Sequence, residues 1–227
     1  MDVSEYHTGR YGAPGQERQK RKKATPEQIK KQNQYNRERK VKWMIWDHFD
    51  VNDWLVTWTY RKDERPPDMN TAKKDFKKAI EKVKKEYKKR GHELKWIRNI
   101  EVGTRNSWHV HLIINSFDGS APIIKDAWEH GGTDFKLLYA DGEFRELASY
   151  ISKTPETGAG LKETSLSHSR NLPIKEREKK VYLHWKTWKK VRIPKGWHLD
   201  KDTLQEGVNP VTGYAYRTYT LIRSRRC

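Results

Sequence analysis

The stretch Trp108-His109-Val110-His111-Leu112-Ile113-Ile114-Asn115 decides the fold: two histidines one residue apart enter a run of β-formers. Successive strand side chains point to opposite faces, so His109 and His111 project from one face and can grip one metal ion between them. Eight residues before His109 lies Glu101, within Trp96-Ile97-Arg98-Asn99-Ile100-Glu101-Val102, and Gly103-Thr104-Arg105-Asn106-Ser107 joins the two runs. Two strands linked by about five turn-forming residues make a β-hairpin. With its centre near Arg105, Glu101 stands opposite His109, and cross-strand neighbours share a face. Two imidazoles and a carboxylate then converge with positions left open for water or phosphate oxygens, which is a catalytic arrangement and not a closed structural one. The same pattern also fits surface histidines on a half-buried sheet, with Glu101 paired to an arginine.

Downstream, Asp141 to Lys153 reads as a helix whose apolar stripe is Phe144, Leu147, Ala148 and Ile151. Tyr150 falls at the edge of that stripe, and Lys153, three residues on, lies beside it on the polar side. A phenol on the rim of a packed helix reaches across the sheet that the helix covers. An ordinary amphipathic boundary tyrosine would occupy the same position.

A Glu followed at eight by His-hydrophobic-His, and then by Tyr-x-x-Lys on a helix, resembles the HUH endonucleases, specifically the single-tyrosine replication initiators (Rep proteins) of rolling-circle plasmids, phages and viruses. Their first motif, a hydrophobic strand ending in Thr-x-Thr, is matched by Trp54-Leu55-Val56-Thr57-Trp58-Thr59. The resemblance covers roughly Trp54 to Lys153. It implies an α+β fold with a five-stranded antiparallel sheet flanked by helices in a ferredoxin-like layout. It also implies a divalent metal, Mg²⁺ or Mn²⁺, on Glu101, His109 and His111, and Tyr150 as a nucleophile that nicks single-stranded DNA at an origin or hairpin. Lys153 would either stabilise the developing charge or position the phosphate. The chain lacks the third histidine of conjugative relaxases, and it has Thr154 where small HUH transposases tend to carry Gln. Two other classes stay open: a transposase using the same chemistry, and a non-catalytic DNA-binding module.

Composition agrees with a polyanion partner. Among 227 residues, 48 Lys and Arg against 30 Asp and Glu leave a net charge of +18, which favours nucleic acid over an anionic membrane. A hydrophobic share of 34% and a mean hydropathy of −1.11 imply an economical core with partly disordered ends. No apolar run approaches membrane-spanning length and no signal-peptide pattern opens the chain, so a cytoplasmic protein is expected. The single cysteine, Cys227, excludes disulfides within the chain. No Walker-type phosphate loop occurs, so a helicase would have to act in trans, supplied by the host.

Four segments are expected. Residues 1–23 form a basic arm without a fold of its own, and 24–46 a basic helix opened by the capping box Thr25-Pro26-Glu27-Gln28. The endonuclease core occupies 47–160, with a long helix over Asn70 to Arg90, a short one over Ile123 to His130, and a strand over Asp134 to Ala140. Residues 161–227 complete the sheet and contact DNA. DNA contacts are expected from Thr57, Thr59 and Arg105, and from Ser167, Ser169 and Arg170, a Ser-x-Ser-Arg segment suited to phosphate or simply a polar loop. Trp185, Lys189 and Lys190 belong to an aromatic and basic stretch that would serve as a single-strand platform.

Overall fold

The computed structural model describes residues 1–7, 23, 25–138, 144–174, 178–183, 190–208 and 215–223. They form two compact units, Gln34–Lys175 and a second made of Met1–Asn33 with Glu176–Cys227. The helix α1 (Pro26–His48) runs from one to the other and opens with the expected box: the Thr25 amide donates to Gln28 Oε1 at 2.9 Å, and the Gln28 amide to Thr25 Oγ1 at 3.3 Å.

The larger unit is an α+β layer built on five antiparallel strands. These are β2 (Trp54–Thr59), β3 (Trp96–Gly103), β4 (Trp108–Ile114), β5 (Thr133–Leu137) and β6 (Leu161–His168), lying side by side in the order β5-β2-β4-β3-β6. The central β4 pairs Glu101 with His109 and Asn99 with His111 on β3, and Thr57 with His111 and Thr59 with His109 on β2. The expected hairpin register therefore holds. The Gly103 amide donates to the Ser107 carbonyl at 2.8 Å, and Asn106 takes a positive φ of 55° to turn the chain.

One face of the sheet is wholly apolar. Val56, Trp58, Ile100, Val110, Leu112 and Ile114 pack under α2 (Met69–Lys89) and α3 (Ser120–Ala127). Ala72, Phe76, Ala79, Ile80, Val83 and Tyr87 make the buried stripe of α2 at helical spacing. Asp68 caps its start by accepting from the Thr71 amide at 2.7 Å, and Gly91, with φ +76°, ends it in the left-handed conformation that glycine adopts freely. α3 begins three residues earlier than expected because Gly119, also left-handed, turns the chain directly into Ser120. At Gly131 the backbone crosses the end of β2 so closely that a Cβ would lie 1.9 Å from the Thr59 carbonyl oxygen.

The other face changes character along its length. Leu55, Ile97, Ile113 and Leu166 pack against the C-terminal half of α1 and against α4 (Arg145–Ile151). Beyond them the same face carries Thr57, Asn99, Glu101, His109 and His111. α4 is shorter than the helix expected over Asp141 to Lys153. Residues 141–143 lie outside the described residues, and Ser152 ends the helix by returning its hydroxyl to the Ala148 carbonyl at 2.6 Å. Lys153 thus follows the helix and does not belong to it.

The smaller unit corrects two expectations. Asp2–His7 is a strand, β1, and not an arm without structure. With β7 (Glu178–Leu183), β8 (Trp197–Val208) and β9 (Ala215–Arg223) it makes a separate four-stranded sheet ordered β7-β1-β9-β8, so only β6 of the C-terminal segment joins the five-stranded sheet. β1 runs parallel to β7 and antiparallel to β9. The reason is a small core of Val3, Tyr219 and Leu221 beside a buried carboxylate, Glu5, which accepts from Arg217 Nε and the Tyr219 hydroxyl, each at 2.7 Å. No described helix is long and apolar enough to cross a membrane.

Candidate active site

The polar half of the inner face converges on His111, which is nearly buried. Its Nε2 lies 3.3 Å from Glu101 Oε2, its Nδ1 is 3.1 Å from the Tyr150 hydroxyl, and Thr57 Oγ1 approaches that same nitrogen at 3.4 Å. Tyr150 comes down from α4 with its ring edge-on to the imidazole, centroids 5.0 Å apart. The Lys153 ammonium stands over the Tyr150 ring, 4.2 Å from its centre, a cation–π geometry that the chain achieves although the helix has already ended. Burial first, and the Glu101 charge second, push the Tyr150 phenol above its ordinary pKa. His109 is held below its ordinary value, by burial first and then by neighbouring His111.

Asn99 is the residue that sequence reasoning passed over. It is fully buried between Glu101 and the chain leaving α4, and its Nδ2 donates to Glu101 Oε1 and to the Lys153 carbonyl, each at 3.2 Å. One amide thus fixes the carboxylate and the end of the tyrosine helix together. The signal was the period of two in β3, which puts Asn99 on the Glu101 face in the middle of an apolar run. Gln34 of α1 adds a second tie, donating to the Ser152 carbonyl at 3.3 Å.

The donor set suits a divalent ion. Two ligand atoms bound side by side at roughly 2.0–2.2 Å from one ion lie about 3 Å apart, and the Glu101–His111 pair is set at 3.3 Å. Asn99 Oδ1 is a buried acceptor with no partner among the described residues, which also suits an ion or its water. His109 projects from the same face, opposite Glu101, with its ring nearly parallel to that of His111 and the centroids 6.1 Å apart. It is not drawn in with the other two, and among the described residues no three His, Cys, Asp or Glu side chains form a group that could hold an ion.

The residues expected to touch DNA are spread more widely. Thr59 is engaged with the Gly132 backbone, accepting from its amide at 3.2 Å, and Arg105 is exposed on the hairpin turn. Ser167 pairs with Arg98, so it faces away from the histidines. Ser169 is structural: its hydroxyl accepts from the Trp96 amide at 3.1 Å. Arg170 and Lys190 are exposed, while Trp185 and Lys189 lie outside the described residues.

If Asn99 aligns Glu101, the Asn99→Ala variant should bind Mn²⁺ about ten- to a hundredfold more weakly than the parent, as removal of an outer hydrogen-bond partner typically does. Calorimetric titration gives the affinity. Binding equal to the parent would leave Asn99 a packing residue.

Residues 53–155, which carry β2 through α4 and all five candidate residues Glu101, His109, His111, Tyr150 and Lys153, match the model of a family of replication-associated proteins, that of the ORF2 and gene-II type. The match supports a protein of DNA replication. More narrowly, it supports a replication initiator of the Rep type. No curated protein and no solved structure matches the chain.

Proposed function

We propose that this protein is a single-tyrosine HUH endonuclease that initiates rolling-circle replication by nicking and rejoining single-stranded DNA at an origin. The observation that carries this reading is the Tyr150 hydroxyl, 3.1 Å from His111 Nδ1, on the face where Glu101 stands opposite His109. The Tyr150 oxygen attacks the scissile phosphorus, the bond from phosphorus to the 3′ oxygen breaks, and the phenol's proton passes in net balance to that oxygen. The products are a 5′-phosphotyrosine and a free 3′-OH. The phosphoester is conserved, so a 3′-OH can reverse the step and join strands without a nucleotide cofactor.

Each side chain has a task in this scheme. His111 turns Nε2 toward Glu101 and Nδ1 toward the phenol, so the tautomer protonated on Nδ1 donates to the tyrosine oxygen and steadies negative charge as it builds there. Lys153, over the ring, adds a positive charge to the same end. Its carbonyl, tied to Asn99, fixes the approach of α4 to the sheet. Glu101, His109 and His111 would hold a divalent ion, Mg²⁺ or Mn²⁺, which when bound supplies Lewis-acid neutralisation of the phosphate.

The test is incubation of the full chain with Mn²⁺ and a pool of single-stranded oligonucleotides. Adducts that survive denaturation, formed with the metal and absent in EDTA, are the expected result. Binding without cleavage under every divalent metal tried would reduce the protein to a DNA-binding module.

A further inference from the structure

The back of the molecule carries a surface that the cleavage reading leaves unused. The solvent side of α2 is divided. On one flank Lys82, Lys89 and Arg90 are paired with acids, Lys82 with Glu129 at 2.5 Å and the other two with Glu86 at 2.6 and 2.5 Å. On the other flank Lys73, Lys77, Lys84 and Lys88 are all exposed and have no carboxylate partner among the described residues. At 100° per residue these four fall within an arc of about 60°, a continuous ridge of positive charge along the helix.

The ridge borders a particular part of the sheet. α3 lies on the paired flank, where Lys82 meets Glu129. The lysine ridge is on the opposite flank, on the side of β3 and the edge strand β6. There Arg98 is nearly buried, lies 5.1 Å from the centre of the Phe76 ring, and hydrogen-bonds the Ser165 carbonyl and hydroxyl, the latter at 3.2 Å. It is a cation without a carboxylate among the described residues, and Ser167 sits next to it across the strand pair. Burial lowers the Arg98 pKa to about 10, a cost that a nearby anion would offset.

We propose that this ridge, with the β6 edge beside it, is a second nucleic-acid surface that holds the backbone of duplex DNA, on the face of the sheet opposite the tyrosine. The proposal rests on the reading of the chain as a DNA-replication protein. Duplex DNA is the occupant because it has the highest charge density of the candidates, about one phosphate charge per 1.7 Å of axis. The aromatic residues of α2, Phe76 and Tyr87, are buried, so the ridge offers nothing on which unpaired bases could stack. Lysines meet phosphates as point charges without reading sequence. The helix, 21 residues long, extends about 32 Å, close to one turn of B-form DNA at roughly 34–36 Å.

The experiment compares the full chain with its K73Q/K77Q/K84Q/K88Q variant, titrating a 30-base-pair duplex of arbitrary sequence by fluorescence anisotropy across a salt series. Four lost phosphate contacts should reduce the steepness of the log–log salt dependence by about three to four units, with at least about a tenfold loss of affinity. Adduct formation on a ten-nucleotide single strand should be unchanged. An unaltered duplex affinity and slope would overturn the proposal. So would an equal loss of binding to the short single strand, or an equal flattening in the K82Q/K89Q variant, which would mean diffuse charge only. A parent chain that forms no adduct would count against the cleavage reading while leaving the duplex measurement intact.

Discussion

The Tyr150→Phe variant is expected to fold, to bind Mn²⁺ and single-stranded DNA as the parent does, and to form no covalent adduct. The substitution keeps the ring beneath Lys153 and against His111 and removes only the oxygen that lies 3.1 Å from Nδ1. Nicking should fall by at least about a thousandfold, the scale on which loss of a covalent nucleophile is normally felt. Lys153→Ala should slow the reaction by about ten- to a hundredfold without abolishing it, because the nucleophile remains and only the charge beside it is lost. Peptide mapping of a trapped adduct decides the assignment. Nucleotide found on a fragment without Tyr150, or nicking by the Phe variant at the parental rate, would mean that another group performs the attack.

The second large effect is expected at His111. It is the one side chain in contact with Glu101, Thr57 and Tyr150 together, so His111→Ala removes a metal donor and the partner of the phenol in one change. Metal-dependent cleavage should drop by about a hundred- to a thousandfold while affinity for single-stranded DNA changes little, since phosphate contacts elsewhere carry most of the binding. His109→Ala should also remove cleavage, and Glu101→Gln, which retains an oxygen donor, should weaken Mn²⁺ binding less. Calorimetry with Mn²⁺ separates the two roles of His111. Full cleavage in EDTA would take the metal out of the scheme.

The parts of the fold that follow a period were legible in the sequence. Glu101 opposes His109 because the turn length from Gly103 to Ser107 fixes the register, and β-pairing leaves little choice once one side of the sheet must be buried. α2 was equally plain, with apolar residues three and four apart and a glycine after its end. What escaped depends on contacts distant in sequence. The end of α4 is set by the Ser152 hydroxyl, which competes for the Ala148 carbonyl, and nothing in the spacing of Tyr150 and Lys153 reveals that competition. Ser167 looked suited to phosphate until its pairing with Arg98 put it on the other face. Asp2–His7 has too few apolar residues to announce a strand. It is one because Glu5 finds Arg217 and Tyr219 more than two hundred positions away.

That distance sets a timetable for synthesis. Every strand of the five-stranded sheet lies between Trp54 and His168, so the sheet that carries the tyrosine site can assemble as soon as that stretch has left the ribosome. β1 emerges first of all the strands, yet its antiparallel partner β9 ends at Arg223. The earliest strand made is therefore among the last to be paired, and the buried Glu5 waits in water for its arginine while the rest of the molecule is already built.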